Sequence, residues 1–132
     1  LEANVYKNTS KQQGTNDPSK SLKRGFQKLK SAFSIRAKQS EAVSKHIKTS
    51  PYPVIVTGDF NDTPMSYTYH KFEDQLTDAF LNTSSGFGAT YVGILPAGRI
   101  DYIFHSKELN SSNFKIQETE LSDHRAISCI IY

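Results

Sequence analysis

The sequence predicts one α/β domain of the α+β type, in which helices lie on one face of a mostly antiparallel mixed sheet. Three observations support this fold class. The chain has 132 residues, a length typical of one domain. Its first third carries apolar side chains at helical spacing, and the remainder contains several short strand-like segments separated by turn residues. A helical region followed by sequential strands favours helices packed on such a sheet.

Composition excludes several classes of protein. Eight Phe and seven Tyr argue against a wholly disordered chain. No apolar run approaches the length of a membrane span. The single Cys129 excludes an intramolecular disulfide and a cysteine-based zinc site. The start at Leu1 has neither an initiating Met nor the pattern of a signal peptide, so we interpret the chain as part of a longer protein.

Charge is distributed unevenly along the chain. Residues 1–50 hold 11 Lys and Arg against three Asp and Glu, whereas residues 51–132 hold five against ten. The basic part favours an anionic partner, such as nucleic acid or lipid head groups, and the acidic part favours a cation. A solvated helix face explains the basic part equally well, so both interpretations remain open.

The first third predicts a loop and then helix. Residues 1–20 are polar and lack periodicity, which indicates a loop or a disordered segment. Residues 21–49 are predicted to be helical and to end before Pro51. We interpret an apolar stripe at steps of four, three and four as core packing rather than a ligand site; its members are Leu22, Phe26, Leu29 and Phe33.

Residues 53–132 predict the sheet together with the loops that carry chemistry. The run PVIVTG at 53–58 is typical of a strand buried on both faces. Ser66 is placed to cap a short helix that ends near Phe72. The pattern over 73–81 is ambiguous and 82–88 indicates a loop. Further strands are predicted at 89–92, 99–104, 114–119 and 125–132.

Three groups of polar residues stand in positions that suggest chemistry. Asp59 and Asn61 follow the first strand, and two residues separated in this way on an extended chain point to the same side. Asp101 lies among Ile, Tyr and Phe, where a buried carboxylate needs a partner, and His124 is a natural one. Each group alone has an ordinary explanation, namely a turn, an exposed strand face or a surface histidine.

Together, these groups resemble the motifs of the endonuclease/exonuclease/phosphatase superfamily. The segments are PVIVTGDFNDTP at 53–64, RIDYI at 99–103 and SDH at 122–124, in the family's order. The resemblance extends over about residues 36–132, with Ala126 in place of a usual Pro. It implies half of a four-layered α/β/β/α sandwich, namely the C-terminal portion of a bacterial member.

The resemblance also implies a role for each site residue. Asp59 would be the base that orients or deprotonates the attacking water, and Asn61 would bind a phosphate oxygen and hold Asp59. His124 would donate to the phosphoryl oxygen, and Asp101 would orient His124. Asp123 would bind Mg²⁺, or Mn²⁺ as an alternative, directly or through water.

Supporting roles are implied for three further residues. Arg99 is expected to be structural, while Asp62 and Ser66 are expected to support the loop after the first strand by hydrogen bonds.

The resemblance implies that the family's metal-binding Glu, an early Asn and a further His belong to a first half that lies outside this chain. We therefore expect the chain to be inactive alone and to expose an apolar face. Either the N-terminal half of the same domain or a second copy, forming a homodimer, would cover that face. The expected function is metal-dependent hydrolysis of a phosphoester, with nucleic acid, phospholipid and sugar phosphate all open as substrates. The alternative is a non-catalytic basic module, or a pseudoenzyme half-domain, that binds a polyanion.

Overall fold

The computed structural model describes residues 18–93, 98–119 and 121–132. The prediction of a loop at 1–20 therefore falls mostly outside the described residues, although 18–20 belong to the first helix. The helices are α1 Pro18–Thr49, α2 Tyr67–Glu73 and α3 Ala79–Thr83. The strands are β1 Ile55–Asp59, β2 Leu76–Asp78, β3 Asp101–Ser106, β4 Ser111–Ile116 and β5 Ile127–Ile131. The chain divides into two compact units, residues 1–33 and 34–132, and each is considered by itself.

In the first unit, the described residues belong to α1, in agreement with the predicted helix. The interpretation of its apolar stripe as core packing is wrong. Leu22 and Phe26 are each 64% exposed, Leu29 is 52% exposed and Phe33 is 48% exposed. The reason is that a single helix has no second element within 18–33 against which its apolar face can pack.

The described residues of the second unit form two open antiparallel sheets, which confirms the predicted fold class. One sheet has the strand order β1-β3-β2, and the other pairs β4 with β5. Strand β3 is central and is covered on both faces. Tyr102 and Phe104 pack with residues of α2, whereas Ile103 packs with α3 and β4.

Strand β1 corrects one prediction from the sequence. The sequence predicts burial on both faces, but most residues of β1 are exposed and Ile55 is 53% exposed. The cause is its position, because β1 is an edge strand that pairs with β3 on one side only among the described residues. The strand that is buried on both faces is β3.

The remaining elements refine the predicted boundaries. Ser66 caps α2, since its Oγ accepts a hydrogen bond from the Tyr69 amide at 3.1 Å, as predicted. The ambiguous segment 73–81 forms the end of α2, then β2 and the start of α3. The predicted strand at 89–92 is reduced to a single bridge between Tyr91 and His124.

The core of the second unit consists of two clusters on opposite faces of β3. The first is largely aromatic and contains Tyr69, Phe72, Leu76, Tyr102 and Phe104. The second contains Ala79, Phe80, Ile103 and Phe114, with side chains of β5 packed beside it. Because both clusters share β3, burial of apolar area on either face fixes the position of this strand.

Arg99 connects the residues before β3 to the start of α3. Its side chain is 3% exposed, and the guanidinium forms an ion pair with Asp78, which is also buried. The guanidinium carbon lies 4.5 Å from the ring centroid of Phe80 and 4.7 Å from that of Tyr102. Asp78 also accepts a hydrogen bond from Tyr69 Oη at 2.8 Å, and it caps α3. This network supports the expectation that Arg99 is structural.

Replacement of Arg99 by methionine should strongly destabilise the fold. The substitution leaves Asp78 buried without its cation, which typically costs about 3–5 kcal/mol. Urea denaturation followed by circular dichroism measures the change in the free energy of unfolding. Lys115→Met, at an exposed position on β4, is the control and should change it by less than about 0.5 kcal/mol. A loss below about 1 kcal/mol for Arg99→Met would contradict the structural role.

Candidate active site

The register of β1 against β3 places two carboxylates side by side. Asp59 is the last residue of β1 and is the cross-strand partner of Asp101, the first residue of β3. Ligand atoms of Asp59, Asp101 and His124 all lie within 4.8 Å of one another. The three motifs that are separated in the sequence therefore meet at one end of the sheet.

The loop after β1 holds the Asp59 carboxylate through Asn61. The Asn61 backbone amide donates to Asp59 Oδ1 at 2.7 Å, and its Nδ2 donates to Oδ2 at 2.8 Å. Both carboxylate oxygens are therefore engaged by one residue, as expected for a residue that helps to hold Asp59. The expected extended geometry is wrong, since Asn61 has φ 50° and the chain turns sharply there.

Thr90 connects the start of β3, which carries Asp101, to the segment before β5 that carries His124. Its Oγ1 accepts hydrogen bonds from the amides of Ile100 and Asp101, each at 3.1 Å. Its carbonyl oxygen accepts from the Arg125 amide at 2.7 Å. Thr90 is fully buried, so these bonds are shielded from water. One residue thus fixes the start of β3 and the backbone that follows His124.

His124 is oriented by Asp101. Its Nδ1 lies 3.0 Å from Asp101 Oδ2 and 3.3 Å from Oδ1. Because a carboxylate only accepts hydrogen bonds, Nδ1 carries the hydrogen in this contact and the second ring nitrogen, Nε2, is left for other partners. The Tyr91 ring packs edge-on against the imidazole, with centroids 5.2 Å apart. Position and tautomer are therefore both restricted.

The hydrogen bond from His124 to Asp101 raises the pKa of His124 above its ordinary value of 6.5. Partial burial of the ring opposes this increase, and the negative charges of Asp101, Asp59 and Asp123 add to it. The imidazole is thus biased toward the protonated form, which can donate a hydrogen bond from Nε2.

A cleft of about 360 Å³ opens over this group. The side chains of Asp59, Asp101 and His124 line it, together with Thr57, Gly58, Ser122 and residues 125–127. A volume of this size accommodates a small ligand rather than a single water. Three of the predicted site residues, Asp59, Asp101 and His124, therefore face a common solvent-accessible space.

The other predicted site residues occupy separate positions. Asp123 is exposed, accepts a hydrogen bond from Ser122 Oγ at 3.1 Å, and lies outside the described group of Asp59, Asp101 and His124. Asp62 is buried, and its carboxylate pairs with Arg36 at 3.3 Å. Its carbonyl also accepts from Tyr102 Oη at 2.8 Å, so Asp62 fixes the loop to the core.

Sequence reasoning missed Thr90 and Tyr91 as site residues. The segment 89–92 was interpreted only as a short strand, because its residues are typical of strands. A buried threonine with an oxygen that accepts two amide hydrogens has no distinctive sequence pattern. Arg125 lines the cleft, and its position directly after His124 is a signal that the sequence does offer.

With this geometry established, comparison with known proteins identifies the family. The model of the Endonuclease/Exonuclease/phosphatase family matches residues 32–124, and the chain belongs to this family. The match includes Asp59, Asp101 and His124 and confirms the resemblance seen in the sequence. No curated protein sequence matches the chain.

Two solved structures from Bacteroides thetaiotaomicron have a similar fold. A mannosyl-6-phosphatase of strain VPI-5482 is 21% identical, with a TM-score of 0.57 over 74% of this chain and 45% of that protein. An endonuclease/exonuclease/phosphatase family protein is 20% identical, with a TM-score of 0.58 over 75% of this chain and 44% of that protein. The present chain therefore spans less than half the length of either structure.

Replacement of Asp101 by asparagine should lower the pKa of His124 toward 6.5, because the largest cause of its increase is removed. In the native chain the pKa of His124 is higher in the folded state than in the unfolded state. The Asp101–His124 pair therefore stabilises the fold fully at pH values below the pKa of His124 in the unfolded state. This contribution is lost as the pH rises through the folded value. The pKa is measured by NMR titration of the imidazole protons in the presence of a chelator.

Asp123→Asn is the matched control for this titration, because Asp123 acts on His124 only through its charge and is the last of the causes. It should shift the pKa of His124 less than Asp101→Asn does. An unchanged His124 titration in Asp101→Asn would show that the contact is not formed in solution.

Proposed function

We propose that this chain contributes the catalytic base, the phosphate-binding amide and the hydrogen-bond donor to the phosphoryl oxygen of a metal-dependent phosphoester hydrolase. The observation that carries the proposal is the convergence of Asp59 with the Asp101–His124 pair within 4.8 Å. A carboxylate beside an oriented imidazole provides an acceptor and a donor for protons at one site. Membership of the Endonuclease/Exonuclease/phosphatase family supports the same reaction class.

In this proposal Asp59 receives the proton of the attacking water while the water oxygen forms the new bond to phosphorus. The bond from phosphorus to the ester oxygen of the leaving group breaks, and that oxygen takes up a proton from solvent. Asn61 holds both oxygens of Asp59 and so fixes the direction of that proton transfer. In the same proposal its side-chain amide binds a phosphate oxygen of the substrate. Restricting the base to one orientation lowers the entropic cost of reaching the reactive geometry.

His124 acts on the phosphoryl oxygen in this proposal. With Nδ1 bound to Asp101, the protonated ring presents Nε2–H as a donor toward the charge that develops at phosphorus. The hydrogen bond to Asp101 raises the pKa of His124 and so favours the form of the ring that carries this proton. Asp101 is thus a positioning residue, since it acts through the imidazole.

Asp123 is proposed as the ligand for Mg²⁺ or Mn²⁺ in this chain. It is exposed, its carboxylate accepts a hydrogen bond from Ser122 Oγ, and a hard oxygen donor suits either ion. Magnesium is commonly held by one or two carboxylates together with water and substrate phosphate, so a single protein ligand here fits that pattern. When bound, the ion would supply Lewis-acid stabilisation of phosphoryl charge.

The proposal includes an incomplete site. The chain covers 45% and 44% of its two structural neighbours, and β1 presents an exposed edge and face. We propose that residues of an N-terminal half complete metal binding and cover this surface. The chain by itself is then expected to be inactive.

Asp59→Asn and His124→Ala should each lower the hydrolysis rate by about a hundredfold or more, because general acid–base and electrostatic groups typically contribute this much. The assay uses a form extended by the preceding coding sequence, with Mg²⁺ and chromogenic substrates. A diester and a sugar phosphate monoester are both included, the latter because one structural neighbour is a mannosyl-6-phosphatase.

Glu108→Gln and His46→Ala are the matched controls for these two substitutions, because both residues are exposed and neither lines the cleft. They should leave the rate within a few-fold of the native value, and a chelator should abolish activity until Mg²⁺ or Mn²⁺ is restored. If the site variants also remain within a few-fold, the proposed roles are wrong. The non-catalytic polyanion-binding module then becomes the better interpretation.

The chain of 132 residues should show no metal-dependent hydrolysis by itself. It should also self-associate through the exposed surface around β1. Light scattering measures its mass, and Ile55→Lys, which introduces a charge on this surface, should restore the monomer. A clean monomer at all concentrations would contradict self-association. A hydrolysis rate for this chain equal to that of the extended form would contradict the proposal that its site is incomplete.

A further inference from the structure

The segment 18–33 of α1 carries a surface that the proposed function does not use. We call it the basic amphipathic segment. Four of its apolar side chains lie on one stripe of the helix and are about half exposed or more: Leu22, Phe26, Leu29 and Phe33. Large apolar side chains that are contiguous and exposed mark a binding surface more often than isolated ones do.

The rest of the basic amphipathic segment is strongly positive. It contains five basic residues and no acidic residue: Lys20, Lys23, Arg24, Lys28 and Lys30. All five side chains are exposed. At about 100° of rotation per residue they fall on the sides and back of the helix, away from the Leu and Phe stripe. The helix therefore has one apolar face and one cationic face.

We infer that the basic amphipathic segment binds the surface of a bilayer that contains anionic lipid. A helix of this kind lies in the interface, with its apolar side chains among the acyl chains and its cations at the head groups. Lysine and arginine side chains are long enough to extend from the side of such a helix to the phosphates. This inference concerns an interaction surface, and it does not depend on the proposed hydrolysis.

Charge argues against a second copy as the occupant. Two basic amphipathic segments packed face to face would bring ten like charges together, with no acidic residue in either segment to neutralise them. Nucleic acid would satisfy the cations, but it would leave the Phe and Leu stripe in water, since phosphate contacts do not bury an apolar face. An anionic bilayer both neutralises the cationic face and buries the apolar face of the segment.

The mode of binding is peripheral. Among the described helices, none is long and apolar enough to cross a membrane. The basic amphipathic segment has four large apolar residues in 16, so one face alone can enter the interface. Affinity should therefore depend on both the apolar stripe and the salt concentration.

The test is co-sedimentation of the full 132-residue chain with vesicles. One set of vesicles contains equimolar phosphatidylserine and phosphatidylcholine, and the other contains phosphatidylcholine alone. We expect binding to the anionic set only, with a marked loss at high salt. Equal binding to both sets, or to neither, would overturn the inference.

Two variants separate the contributions of the faces. Phe26→Ser removes an apolar side chain and should lower partitioning onto anionic vesicles at least about tenfold. The double variant Lys23→Glu/Lys30→Glu reverses two charges of the cationic face and should lower this partitioning by at least the same factor. Circular dichroism establishes that each variant retains its helix. The matched controls are Phe87→Ser, at a side chain 96% exposed in a loop, and Lys115→Glu on β4.

Both controls should bind vesicles as the native chain does. If Phe26→Ser binds normally while a duplex DNA fragment competes fully, the surface recognises nucleic acid and the lipid inference is overturned. If Phe26→Ser instead lowers the mass in light scattering without changing vesicle binding, the stripe covers a second copy and the inference is again overturned. Loss of vesicle binding in both face variants, with both controls unaffected, supports it.

Discussion

The antiparallel register of β1 against β3 is the constraint on which the candidate site depends. It places Asp59 directly across from Asp101 at the ends of their strands. Two carboxylates in this position repel each other, and the imidazole of His124 lies where it can reduce that repulsion. Because side chains alternate along a strand, a slip of one residue would turn one of the carboxylates to the opposite face.

The core explains why that register holds. Strand β3 contributes Tyr102 and Phe104 to one cluster and Ile103 to the other, so a shift of the strand would expose large side chains on both faces. The ion pair of Arg99 with Asp78 fixes the residues just before β3. Thr90 is hydrogen-bonded both to the amide of Asp101 and to the amide of Arg125, so it fixes the backbone after His124 relative to β3. Site geometry thus follows from packing at some distance from the cleft.

Much of this organisation could be predicted from sequence. The β-branched run before Gly58 predicted a strand, and the motifs at 53–64, 99–103 and 122–124 predicted residues that do meet at one cleft. The contact between Asp101 and His124 was predictable because a carboxylate in an apolar strand requires a partner. What could not be predicted depends on tertiary context. The burial of β1 depends on which element packs against it, and the residues of a strand do not reveal that it lies at the edge of a sheet. Similarly, the role of Thr90 depends on a segment distant in sequence.

The left-handed backbone of Asn61 has a consequence for which residues this position can accept. With φ at 50°, the position disfavours most side chains and tolerates glycine, asparagine and aspartate best. Glycine would leave the Asp59 carboxylate without its second donor, and aspartate would add a third negative charge beside two others. Conformation and chemistry therefore select the same amino acid, and a family member with a different residue here would need a different loop.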